Sequence, residues 1–277
     1  MISREQLIHQ IKQKKSFLCV GLDPDIEKIP AFLKEYPDPV LEFNKRIIDA
    51  TCDLCVAYKP NAAFYESRGV KGWQSLVDTW KCLPKDCLNI IDAKRGDMGN
   101  TSDMYARAFF DETTSGMSFD AITVSPYMGH DAVASYLAYQ GKWVILLALT
   151  SSEGSKDFQY LTTEQGLLYE AVIKKANTWA GADKIMYVVG ATKGTEFTNI
   201  RKFAPDNFLL IPGVGAQGGN LADVCQYGMN KDCGLIVNAS RSIIYASNSE
   251  DFAEAARAEA LKIQLQMEAE LEKAEII

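Results

Sequence analysis

Histidine is nearly absent: His9 and His130 are the whole supply in 277 residues. A histidine-built metal centre or a Ser-His-Asp triad is hard to assemble from that stock. No apolar run approaches the roughly 18 residues a membrane span needs, and residues 1–15 are polar and charged rather than a secretory leader. These absences point to a soluble, cytoplasmic protein without a membrane partner. Basic charge is short as well. Lys and Arg total 29 against 36 Asp and Glu, for a net charge of −7, which argues against a nucleic-acid surface. Any anionic ligand must be met by local cations.

Cysteine is present but odd in number, at seven, and Cys19, Cys87 and Cys225 lie in apolar runs. That pattern fits buried free thiols in a reducing compartment. Cys52 and Cys55 form a CxxC where a helix should end, whereas a reactive pair favours a helix N-terminus, and no second pair follows at zinc spacing.

What the sequence does have is a hydrophobic fraction of 47%, ample for a large core, and 23% charged residues, ordinary for a globular protein. Short β-rich runs alternate with helical stretches almost throughout. The predicted strands cover 16–22, 54–59, 88–94, 121–124, 144–149, 185–189, 208–211 and 235–238. Amphipathic stretches at 40–51, 72–83, 102–112, 131–140 and 163–179 separate them. Eight such units close most naturally as an α/β protein of the TIM-type (β/α)8 barrel, expected here as one domain over 1–277. A doubly wound open sheet is the alternative. It usually carries its phosphate glycines after the first strand, where this chain has Gly21, Leu22, Asp23 and Pro24. Residues 250–277 read as an additional C-terminal helix whose charges form a solvated face.

Barrel enzymes place their working groups at the C-terminal ends of strands, so the residues just past each run can be read as a ring. In the third run Asp92 and Lys94 are two apart, which puts both side chains on one face of a strand. Such a pair can transfer a proton, or can simply close the strand as an ion pair. Asp97 follows where Arg95 and Gly96 are expected to start a turn, with Asn100, Thr101 and Ser102 as capping side chains for the next helix. The ring also contains Asp23, then Lys59, Pro60 and Asn61, then Thr150 and Ser151. Strand seven runs into Pro212, Gly213, Val214, Gly215, Ala216, Gln217, Gly218 and Gly219, ahead of a helix starting near Asn220. Strand eight ends in Asn238, Ala239, Ser240 and Arg241. A glycine loop at a helix start and an arginine at these two strands fit a phosphate site; separately each would be only a turn and a surface charge.

The run Asp92, Ala93, Lys94, Arg95, Gly96, Asp97, Met98, Gly99, Asn100, Thr101 resembles the D-x-K-x-x-D and N-T signature of the orotidine 5'-phosphate decarboxylase family. The resemblance extends through Gly21 to Pro24, Lys59 to Asn61, Pro212 to Gly219 and the segment ending at Arg241. The wording at Lys59 to Asn61 and Asn238 to Arg241, with the extended C-terminus, is most similar to the longer, type 2 branch. It implies removal of CO2 from orotidine 5'-phosphate to give UMP, in pyrimidine biosynthesis, with no metal or organic cofactor. It further implies that Asp92 faces the departing carboxylate and that Lys94 stabilises and protonates C6. Lys59 and Asp97 would complete a Lys-Asp-Lys-Asp array. Asp23 would hold the ribose, with Asn61 nearby as a substrate contact, and Gln217 and Arg241, with the loop glycines Gly215 and Gly218, would hold the phosphate. The base would meet Thr150 or Ser151, since the chain departs here from the Glu-Met-Ser wording of the shorter branch. Asp97 and Thr101 would reach a neighbouring subunit's site in a homodimer. Two other readings remain open from sequence: a magnesium-dependent sugar-phosphate decarboxylase or aldolase on the same scaffold, which has a Glu where Lys59 stands, and a silent nucleotide-phosphate-binding barrel.

Overall fold

A computed structural model describes residues 2–190, 194–213 and 220–277. Eight parallel strands close into a barrel in sequential order, the first pairing with both the second and the last. They are β1 (Leu18–Leu22), β2 (Ala57–Pro60), β3 (Leu88–Arg95), β4 (Ala121–Val124), β5 (Trp143–Leu149), β6 (Ile185–Val189), β7 (Leu209–Pro212) and β8 (Leu235–Ala239). The expected (β/α)8 closure is therefore what the chain forms. Among the described residues, no helix is long and apolar enough to cross a membrane.

Alternation decides which side chains enter the barrel. Tyr58 points outward, where its hydroxyl lies 2.8 Å from Thr51 Oγ1 and donates to the Ile48 carbonyl at 3.1 Å. Its neighbour Lys59 consequently points inward. The helix that receives Tyr58, Pro39–Thr51, starts on Asp38, whose carboxylate accepts from the Val40 and Leu41 amides, and has proline in its first turn. Its buried stripe runs through Val40, Phe43, Ile47 and Ile48.

The C-terminal helix spans Phe252–Lys273 and buries Phe252, Ala256, Ala260, Gln264, Met267 and Leu271, one residue per turn. Phe252 stacks on Phe43 with centroids 5.2 Å apart, and Arg257 makes a two-pronged ion pair with Asp53. One edge of this helix is thus packed against the barrel's outer layer while its remaining charges face solvent. All seven cysteines are free thiols, five of them buried, and Cys52 sits at the C-cap of helix Pro39–Thr51.

Several boundaries differ from the sequence reading. The stretch 163–179 is not one helix: Thr162–Thr163 and Gly166–Leu167 form a small antiparallel hairpin, and the helix occupies only Leu168–Ala176. Gly166, at φ 110°, makes the turn that a helix could not contain. Arg95 does not start a turn, since it remains in β3 and pairs with Val124. Nor do Asn100, Thr101 and Ser102 cap: helix Gly99–Phe110 begins ahead of them, with Met98 at its N-cap and no side-chain cap, so they occupy its first turn.

Candidate active site

Asp92, Lys94 and Lys59 meet at the mouth of the barrel. Lys59 Nζ lies 2.9 Å from Asp92 Oδ2 and Lys94 Nζ 2.7 Å from Asp92 Oδ1, so one carboxylate is held between two ammoniums. The Lys59 and Asp92 side chains are only 6% and 10% exposed, whereas that of Lys94 is 50% exposed. Lys94 is therefore the member of the trio open to a ligand. Burial disfavours the charged form of Asp92, but the ammoniums of Lys59 and Lys94 outweigh it and hold the carboxyl well below the usual carboxylate range. Burial likewise opposes the Lys59 ammonium. Asp92, followed by Asp23, more than compensates and keeps Lys59 charged to higher pH than an ordinary lysine. Lys59 and Asp92 are thus a buried ion pair, with Lys94 held on its solvent side.

Regular strand geometry does not produce this contact. The β3–β4 register passes from Ile91 opposite Ile122 to Arg95 opposite Val124, so residues 92–94 bulge out against Thr123 alone. Lys94 adopts φ 45°, in the left-handed region that a lysine seldom enters. The Lys94 amide donates to Thr123 Oγ1 at 3.0 Å, and that hydroxyl donates to Asp92 Oδ1 at 2.9 Å. Nothing in the sequence singled out Thr123 beyond its being the one hydroxyl in an apolar strand.

Around the trio, Asn61 forms a parallel bridge to Asp92 and caps helix Ala62–Glu66 through its side chain. Asp23 Oδ1 is buried and finds no hydrogen-bond partner among the described residues, so an acceptor is left at the end of β1. The Asp23 carbonyl accepts from the Tyr245 hydroxyl at 3.1 Å, and that same hydroxyl accepts from the Asp25 amide at 2.6 Å. The ends of β1 and β8 come so close that a Cβ on Gly21 would lie 2.6 Å from Ser240 Cβ, which only glycine allows. Ser240 donates to the Gly21 carbonyl, and Arg241 follows, exposed, as the first residue of helix Arg241–Ile244. Gly213, at φ 73°, donates to the Asn238 carbonyl and ties the end of β7 to β8. Gly215, Gln217 and Gly218 lie outside the described residues.

Past β5, Thr150 and Ser151 line a cavity of about 440 Å³ together with Tyr160 and Glu196. The Thr150 hydroxyl is engaged with Gln159 Nε2 at 3.0 Å and with Ser152 Oγ at 3.2 Å. Asp97 is not brought to the trio. It is half-buried at the turn, accepts from the Met98 amide at 2.8 Å, and makes no ion pair among the described residues. Thr101 is exposed on the following helix. Arg95, read from sequence only as a turn residue, pairs with Glu66 and lies over the rings of Tyr105 and Phe109, buttressing the end of β3 from outside.

Residues 16–257 match the model of the orotidine 5'-phosphate decarboxylase / HUMPS family. A Bacteroides fragilis protein named orotidine 5'-phosphate decarboxylase is 56% identical over 274 residues, covering 98% of each chain. Among solved structures, the OMP decarboxylase of Leishmania donovani superposes with a TM-score of 0.78 at 34% identity, covering 96% of this chain and 99% of that one. The UMP synthase of the same organism superposes at 0.80 with 36% identity, over 95% of this chain but 57% of that longer one.

Proposed function

The chain belongs to the orotidine 5'-phosphate decarboxylase / HUMPS family, and from that premise we propose how its residues act. The reaction is removal of CO2 from orotidine 5'-phosphate to give UMP, a carboxy-lyase step of pyrimidine biosynthesis. Its difficulty is that the C6–carboxylate bond must break and leave an electron pair on C6, in the plane of the ring, where no conjugated sink accepts it. The half-exposed Lys94 ammonium, already oriented by Asp92, sits beside C6, stabilises that pair as it forms, and delivers a proton to it. Lys94 then regains a proton from solvent. The observation that carries this reading is the single buried carboxylate clamped between two ammoniums, which fixes Lys94 before substrate arrives.

Asp92 faces the departing carboxylate. Two like charges about 4 Å apart repel by about 1 kcal/mol in water and about 4 kcal/mol at an effective dielectric of about 20, a strain that ends when CO2 leaves. Lys59 keeps Asp92 ionised in spite of its burial, so the repulsion and the Lys94 contact are both maintained. Asp23, whose buried Oδ1 has no hydrogen-bond partner among the described residues, and Asn61 take the ribose hydroxyls. Arg241 and the loop bearing Gly215, Gln217 and Gly218 take the phosphate, and that remote grip is converted into rate by holding the ring against Lys94. The Thr150 hydroxyl is engaged with Gln159 and Ser152 and ties down the chain after β5, where Thr150 or Ser151 meets the base.

The chain works as a homodimer in which Asp97 and Thr101 enter the partner's site. Large apolar side chains stand exposed beside them in the chain, with Met98 at 58% and Met104 at 50% exposure, which an isologous contact would cover. We read residues 1–277 as one barrel domain with 250–277 as its helical extension, and place it in the cytoplasm, where seven free thiols and a phosphorylated substrate are at home. A magnesium-dependent reaction is disfavoured because the Lys59 ammonium holds the position beside Asp92 that a divalent ion would need.

A spectrophotometric assay of the purified protein on orotidine 5'-phosphate, with and without chelator, tests this reading. Turnover that chelator leaves unchanged is expected. Loss restored by magnesium would favour the metal-dependent relatives, and UMP binding without turnover would favour a silent barrel.

A further inference from the structure

We propose that the Thr123 hydroxyl is a positioning group for decarboxylation, holding the Lys94 backbone and the Asp92 carboxylate in one closed ring of hydrogen bonds. The inference rests on the roles given to Asp92 and Lys94 above. Opposite Thr123 the sheet ladder is interrupted, and residues 92–94 have no strand partner in β4 other than this residue. Its Oγ1 accepts the Lys94 amide at 3.0 Å and donates its only proton to Asp92 Oδ1 at 2.9 Å. That same oxygen receives the Lys94 ammonium at 2.7 Å. The ring therefore runs from the Lys94 amide through Thr123 and Asp92 back to the Lys94 side chain, and leaves no rotational choice for the hydroxyl.

Two features make a passive role insufficient. Thr123 is 1% exposed, so no solvent molecule reaches its hydroxyl from outside, and an apolar replacement would orphan both the Lys94 amide and one acceptor site on Asp92. Lys94 also sits at φ 45°, a conformation that relaxes unless neighbouring bonds hold it. Releasing the amide lets the residue return towards the extended region and carries its ammonium away from where C6 must lie. Because that change falls on the reacting geometry and not on the phosphate or ribose contacts, its signature is a loss in kcat with KM preserved.

Thr123→Val, Thr123→Ser and Lys94→Ala, assayed side by side with UMP binding measured on each, provide the test. Thr123→Val should lower kcat about a hundredfold, the loss that an ångström-scale misplacement of a reacting group produces, with KM and UMP affinity close to the parent. Thr123→Ser keeps the hydroxyl and should recover most of the lost turnover. Parent-like kcat in Thr123→Val, or equal losses in the Val and Ser variants, would overturn the proposal, the latter by pointing to packing alone. If Lys94→Ala itself turns over normally, it is the Lys94 reading that fails. Should Thr123→Val not fold, Thr123→Cys replaces it, a thiol of similar size but weak donor strength; undiminished kcat there would equally overturn the proposal.

Discussion

Asp92 and Lys94 touch at 2.7 Å with one residue between them, on a stretch of backbone that has left the regular sheet. Side chains two apart on a flat strand share a face but stand parallel, several ångströms from contact. The bulge at 92–94 and the left-handed Lys94 close that gap. Local strain and the Asp92–Lys94 contact are thus the same feature, as is common where a fold stores an unfavourable conformation at its site.

That coincidence separates stability from activity at position 94. Lys94→Gly and Lys94→Ala both remove the ammonium and should both abolish turnover. Glycine, however, accepts φ 45° freely, while a Cβ there costs about 1–2 kcal/mol, so Lys94→Gly should be the more stable of the two by about 1 kcal/mol. Urea unfolding of both variants measures the difference. Equal midpoints would mean that the backbone relaxes once the lysine is gone.

Asp92 sets a pH dependence whose sign is fixed. Burial raises its pKa, but Lys59 and Lys94 together hold it well below the ordinary 3.8, so the folded state binds this proton less readily than the unfolded chain. The stability it contributes is complete above the unfolded value and is lost as pH falls below it. Asp92→Asn should cost about 3–5 kcal/mol near neutrality by leaving Lys59 buried without its main counter-charge. The gap between parent and variant should then narrow between about pH 5 and about pH 2 in denaturant titrations. A gap that stays constant across that range would show that the Asp92 charge is not what stabilises the fold.

The ring of charged strand ends was legible because it depends on spacing: Lys59 next to a proline that ends β2, and the Asp92–Lys94 alternation on β3, survive small errors in strand limits. The bulge was not legible, since periodicity assumes an even ladder, and no spacing in the sequence ties Thr123 to Asp92 or Lys94. The hairpin at 162–167 was hidden for a related reason. Leu167, Leu168 and Ile173 carry a plausible helical stripe, and only the positive φ of Gly166 breaks it. Asp97 does lie past the strand, but among the described residues it makes no ion pair with the trio, and its carboxylate accepts from the Met98 amide instead.

Arg241 should report on the phosphate alone. It is exposed just past the end of β8, which Gly213 at the end of β7 joins through its hydrogen bond to the Asn238 carbonyl. Arg241→Ala should weaken UMP by roughly 1.5–3 kcal/mol, the worth of a hydrogen bond to a charged group, while leaving uridine affinity nearly unchanged. Calorimetric titration of both ligands decides it. Equal losses would place Arg241 in the general architecture of the mouth and not on the phosphate.

Shared sites give an arithmetic test of the dimer. If each site draws Lys94 from one chain and Asp97 from the other, Lys94→Ala and Asp97→Ala homodimers are each defective at both sites. Mixed dimers concentrate both lesions in one site and leave the other with Lys94 and Asp97 intact. Random reassortment of equal amounts makes about half the dimers mixed, so about a quarter of the parent activity should return. The recovery must follow subunit exchange in time, because it needs no new contact, only redistribution of chains. Asp97 acting within its own chain predicts no recovery at any mixing ratio, since every site would then keep one lesion, and the half-buried Asp97 would have to reach Lys94 by a movement of the turn after β3.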